Sequence, residues 1–138
     1  MQVLDTIAFG FVEDMYVIVH RAEHVVDEDW KPFVADVSAA EAMPRMLVIA
    51  GPGKLDPDQR HFVREIYDRF SMRIGVLADS RLARGVLTAL SWFGVEAKAF
   101  PAHDLAGVLS YLERDQLRAK AVAELSACMS PGWLEKTG

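Results

Sequence analysis

The side chains best able to do chemistry lie near the N-terminus. His20-Arg21-Ala22-Glu23-His24 spells H-x-x-E-H, a pattern that grips zinc when it lies on a helix, because His at i and i+4 then share a face. The local sequence argues for a different setting. His20 ends a β-branched run, and His24 precedes the expected start of a helix. In extended chain the two imidazoles lie roughly 13 Å apart at about 3.3 Å per residue. The segment therefore reads as a polar strand exit, and a metal-dependent hydrolase is a remote alternative. No metal is assigned.

Gly51-Pro52-Gly53-Lys54 follows an apolar run and precedes a helix, as phosphate loops do. The Walker pattern needs glycine where Val48 stands and Ser or Thr where Leu55 stands. A helix N-terminus can still hold a small anion, but Asp56 and Asp58 sit there and repel one. A structural turn and a ligand loop are the two readings. Asp79-Ser80 follows another apolar run, at the strand end where open α/β sheets place functional groups. Ser80 reads first as a helix N-cap. It is also a possible phosphorylation site, since a phosphate there gains from the helix dipole and from Arg81 and Arg84. Trp92 points away from the apolar stripe of its helix at 100° per residue and shares a side with Arg81, Gly85, Thr88 and Ala89. Tryptophan beside arginine and small residues suits an interface hot spot. Cover by the tail, with Trp133 and Leu134, is the alternative. There is no G-x-S-x-G, no dinucleotide fingerprint, and no cysteine near a motif histidine. His61 and His103 fall on helix surfaces or caps. No catalytic residue and no cofactor is assigned.

The elements that must position these residues follow from periodicity. Val3–Phe11 and Met15–Val19 are rich in β-branched and aromatic residues, and Glu13-Asp14 between them reads as a hairpin turn. Val26, Trp30, Phe33, Val34 and Val37 form one helical stripe. Pro32 is tolerated only in a first turn, which favours Asp29 as N-cap. Leu47-Val48-Ile49-Ala50 reads as a strand buried on both faces. Asp56 with Pro57 opens a second helix, with Phe62, Val63, Ile66, Tyr67 and Phe70 inward. Ile74–Ala78 is a further buried strand, and a third helix runs from Ser80 to Gly94. Glu96–Phe100 alternates in polarity, and Lys98 suits a sheet edge. Leu105, Val108, Leu109 and Leu112 mark a fourth helix. Asp115–Met129 is helical by propensity, with Leu117, Ala121, Leu125 and Cys128 on one side.

The expectation is an α/β fold: a single mixed, mostly parallel sheet of about five strands, with an N-terminal hairpin, flanking helices and a C-terminal helical extension. Residues 1–113 form the α/β domain and 114–138 the helical tail. The length of 138 residues suits one core. With 51% hydrophobic and 25% charged residues, the chain can fold without staples. Its net charge of -5 is gathered in the first half, which leaves no phosphate-binding footprint, so nucleic acid is a poor partner. The lone Cys128 fits a reducing compartment. Apolar runs such as Met15–Val19 are too short to span a bilayer. A cytoplasmic protein is expected.

The opening hairpin, the alternating helices and strands, and the stretch Val76-Leu77-Ala78-Asp79-Ser80-Arg81-Leu82-Ala83-Arg84-Gly85-Val86-Leu87-Thr88-Ala89-Leu90-Ser91-Trp92-Phe93 together resemble the STAS superfamily. The likeness is to small bacterial proteins similar to the sporulation anti-anti-sigma factor. It covers roughly residues 1–113. It implies a non-enzymatic regulatory module that binds another protein, often a kinase-like regulator, and that can be switched by phosphorylation. The family's switch serine follows the third strand. Here the matching stretch, Gly51 to Asp58, holds no Ser or Thr, and Asp79-Ser80 lies one βα unit later. Relatives of this fold type also resemble the CRAL-TRIO lipid-binding domains, which implies a small apolar or lipid ligand as the alternative.

The interaction face expected from these readings is Gly51, Gly53, Lys54, Asp56, Arg81, Arg84, Thr88 and Trp92. A homodimer is expected as well, because an appended amphipathic helix commonly packs on a second copy and two-fold dimers are the commonest assembly.

Overall fold

Glu13 takes a φ of 55°, the left-handed conformation that lets two residues reverse a strand. In the computed structural model, which describes residues 1–50, 54–78 and 96–129, that turn joins β2 (Ile7–Val12) to β3 (Met15–His20). The pair is antiparallel, with Val12 opposite Met15 and Ile7 opposite His20. The apolar run from Val3 is not one strand. β1 (Gln2–Val3) folds back on β2, with Gln2 opposite Phe9. The break falls at Thr6, whose amide and hydroxyl both donate to Asp29 Oδ2, at 3.0 and 2.5 Å.

That link also corrects the expected start of the first helix. α1 spans Asp27–Ala39, with Val26 at the N-cap and no side-chain cap. Asp29 does not cap it, because its carboxylate is engaged by Thr6. The amides of Asp29 and Trp30 instead bond Val26 O at 3.0 and 2.9 Å. Pro32 consequently lies in the second turn, where it offers the Glu28 carbonyl no donor. Three acidic residues in the first turn complement the positive helix end.

β4 (Arg45–Ile49), β5 (Arg73–Ala78) and β6 (Ala97–Pro101) follow in parallel, separated in sequence by α2 (Pro57–Phe70) and by residues 79–95, which lie outside the described part. The expected helix from Ser80 to Gly94 is therefore not described. The strand order is β1-β2-β3-β4-β5-β6, strictly sequential. Antiparallel pairing at the start gives way to parallel pairing from β3 onward. The fold is thus α/β with one mixed, mostly parallel sheet. Lys98 lies on the outermost strand and sits 5.2 Å from the Phe100 ring.

Each face of the sheet carries its own core. On one face, Phe9, Tyr16, Ile18, Met46, Ile74 and Val76 pack with Phe33 and Val37 of α1 and Ile66 of α2. On the other, Val17, Val19, Leu47 and Leu77 pack with two later helices, α3 (Leu105–Tyr111) and α4 (Arg118–Cys128). Gly75 marks how closely α3 approaches β5. A Cβ there would stand 2.5 Å from Val108 Cγ2.

The C-terminal helix is part of this second core. Leu117, Ala121, Leu125 and Cys128 are all buried in the same cluster as Ala8, Val12 and Val17 of the chain itself. The apolar side on which the expected dimer rested is thus covered within the molecule. Ion pairs reinforce the seat: Arg114 clasps Asp14 at 2.8 Å, and Lys120 pairs with Glu13. Both partners are the turn residues of the opening hairpin. At the amino ends of β4 and β5, Arg45 and Arg73 lie opposite each other and share Glu113 Oε1 at 2.9 and 3.1 Å. They also donate to the carbonyls of Leu112 and Tyr111, at 2.8 and 3.0 Å. Cations thereby satisfy the negative end of α3.

Candidate functional site

β3, β4 and β5 run parallel, so their carboxyl ends lie side by side. The exit of β3, together with Lys54 beyond β4, forms a fastened polar ledge. The H-x-x-E-H segment is a strand exit, as its sequence indicates. Arg21 turns away to donate to Cys128 O at 3.0 Å and to Leu4 O, which ties the C-terminal end of α4 to the sheet. Glu23 pairs with Lys54: its carbonyl accepts from Lys54 N at 2.8 Å and its carboxylate meets Lys54 Nζ at 3.0 Å. Lys54 holds the Glu23 carboxyl below the ordinary carboxylate range. His24 forms a parallel bridge with Lys54. The exits of β3 and β4 are thus one surface, with Glu23 and Lys54 both exposed.

Beneath the ledge, Gln59 locks the β3 exit to α2. It is 4% exposed, yet both ends of its side-chain amide have a partner. Its Nε2 donates to Val25 O at 3.0 Å, its Oε1 accepts from Asp56 N at 3.2 Å, and its own amide donates to Asp56 Oδ1 at 2.8 Å. A buried amide with partners on both ends is a strong local constraint. The reciprocal bonds form a capping box. Asp56, expected on the interaction face, is therefore the cap of α2. The D-x-x-Q spacing of Asp56 and Gln59 is the signal that identifies Gln59, which the sequence reading missed.

His20 is the other residue that reading undervalued. It ends β3 on the same face as Tyr16 and Ile18, opposite Ile7. Its Nδ1 is buried and has no hydrogen-bond partner among the described residues, although part of the residue still reaches the surface. Burial pushes its pKa down to about 4, so the imidazole is neutral at pH 7. The signal was the strand alternation, which places His20 among core positions. The three residues of the metal motif do not converge. Among the described residues no group of three His, Cys, Asp or Glu side chains could hold a metal ion.

Of the other expected site residues, Lys54 is described and stands on the ledge. Gly51, Gly53, Ser80, Arg81, Arg84, Thr88 and Trp92 lie outside the described residues, as do Trp133 and Leu134. His61 is an exposed helix residue paired with Glu65 at 3.0 Å. Among the described residues no helix is long and apolar enough to cross a membrane. No family model, no curated protein and no solved structure matches this chain.

Proposed function

We propose that the chain is a non-enzymatic regulatory module that binds another protein, of the STAS type its sequence resembles. The supporting observation is the ledge at the carboxyl ends of β3 and β4. Glu23, His24 and Lys54 are held there by a bridge, a backbone bond and an ion pair, so the surface is ordered before any partner arrives. Preorganised polar groups lose little freedom on binding. Arg81, Arg84, Thr88 and Trp92, which the sequence reading assigns to the same interaction face, fall between β5 and β6 and lie outside the described residues. A kinase-like regulator or a second copy of the chain is the partner, in the cytoplasm. Because α4 has its apolar side covered, self-association would run through the Trp92 face. Affinity capture and size exclusion of the full chain test the reading. Arg81→Glu and Trp92→Ala are expected to abolish association, and unchanged association by both variants contradicts it.

A second reading, a binder of a small apolar ligand, is favoured by the row Ile7, His20, Ala50 and Ala78 at the same end of the sheet. The His20 Nδ1 there is a buried polar atom with no partner among the described residues.

A further inference from the structure

We propose that the segment Arg114–Met129, with α4 at its centre, is a strap that opens as one unit from the apolar face of β2 and β3, and that the acidic turn Glu13-Asp14 is its latch. The inference goes beyond the protein-binding reading and stands without it.

The strap has a fixed end. α3 is nailed to the sheet, because Arg45 and Arg73 hold the carbonyls of Leu112 and Tyr111 and the carboxylate of Glu113. Asp104 caps its start, accepting from Gly107 N at 3.0 Å, and Val108 and Leu112 lie tight over Gly75. Glu113 then turns the chain with a φ of 58°, in the left-handed region that favours glycine. Beyond Glu113 the grip changes character. No side chain caps the start of α4. Its buried side is Leu117, Ala121, Leu125 and Cys128, of which only the two leucines are large. A helix of 11 residues is too short to persist alone in water, so α4 exists only while it is seated. The small apolar area that seats it makes opening here less costly than unfolding the sheet.

Polar ties complete the hold, and two of them converge on the hairpin turn. Arg114 Nε and Nη2 grip the two oxygens of Asp14, each at 2.8 Å. Lys120 pairs with Glu13. Ser110 Oγ donates to Asp115 Oδ1 at 2.6 Å, and at the far end Arg21 Nε donates to Cys128 O at 3.0 Å. A two-pronged arginine–carboxylate pair is the kind of exposed ion pair that carries weight. Glu13 and Asp14 are adjacent in one turn, so loss of their charge loosens both ties together. Opening uncovers Ala8, Val12, Val17 and Val19, which are buried while α4 is seated. The strap thereby controls access to the apolar face of the opening hairpin.

The test is native-state hydrogen exchange of the full chain by NMR, at low denaturant and in low and high salt. The amides of Val122 to Leu125 are expected to exchange together, with one shared denaturant dependence. Their rate should exceed that of the Val17–Val19 and Leu47–Ile49 amides at least about tenfold. The double variant Glu13→Gln, Asp14→Asn should speed the α4 amides about fivefold, leave the strand amides unchanged, and remove most of the salt dependence. Arg114→Gln should act in the same direction from the other side of the latch. One common rate for α4 and the strands overturns the strap as a separate unit. Exchange graded from Cys128 inward is end fraying and overturns its cooperativity. Unchanged α4 exchange in both the double variant and Arg114→Gln overturns the latch.

Discussion

A neutral imidazole at the end of β3 makes His20 the residue whose chemistry bears most on this fold. Its folded pKa of about 4 lies below the ordinary 6.5. The unfolded chain therefore takes up a proton between those values while the folded chain refuses it. The sign follows directly: His20 leaves stability untouched above pH 6.5 and removes it as pH falls from 6.5 toward 4. The loss is on the order of 2–3 kcal/mol at the acid end. Denaturant midpoints measured from pH 7.5 to 4 should fall more steeply for the unaltered chain than for His20→Leu. At pH 7.5 the leucine variant should be more stable, by about 1 kcal/mol, because a buried polar atom with no partner among the described residues is gone. Parallel pH profiles for the two proteins contradict the assignment. Gly75 obeys a simpler rule. A methyl at its Cβ position meets Val108 at 2.5 Å, and Gly75→Ala should cost about 1–3 kcal/mol through overpacking, read as a lowered Tm.

At the scale of elements, capping and pairing decide where helices begin. α2 starts where Asp56, Pro57 and Gln59 agree. Asp56→Ala should cost about 1 kcal/mol by urea denaturation, and a change within error contradicts the capping role. The start of α2 was legible because every cue is local. The start of α1 was not, because Asp29 serves Thr6, 23 residues away in sequence, and tertiary bonding overrides local capping preference. β1 was hidden for a related reason. A single apolar run reads as one strand unless something shows that its middle amide is taken elsewhere. His20 was underweighted because the segment was read as a polar strand exit, whereas alternation with Tyr16 and Ile18 places the ring over a sheet face.

For the molecule as a whole, the sequence patterns made the α/β class, the opening hairpin, the parallel strands and the edge position of Lys98 readable. Periods of 2 and 3.6 are set by burial, and burial dominates the fold. Which core the last helix joins is invisible to periodicity, since an apolar stripe looks the same against its own sheet or a second copy. Here the stripe completes the core over β2 and β3. Leu125→Ala should accordingly cost about 2–5 kcal/mol, and a loss below 1 kcal/mol in chemical denaturation would make the helix peripheral.

The molecule also divides its charges between the two ends of the sheet. At the amino ends, Arg45 and Arg73 close α3 with bonds to carbonyls and Glu113. At the carboxyl ends, Lys54 stands on an exposed ledge with Glu23, where solvent and salt screen the ion pair and leave it little weight in stability. Charge reversal at each end separates scaffold from the proposed recognition surface. Arg45→Glu and Lys54→Glu should be compared in one experiment that reads both Tm and partner capture. The account predicts that Arg45→Glu lowers Tm and still captures, while Lys54→Glu keeps its Tm and captures nothing. Capture retained by Lys54→Glu and lost by a folded Arg45→Glu would contradict it.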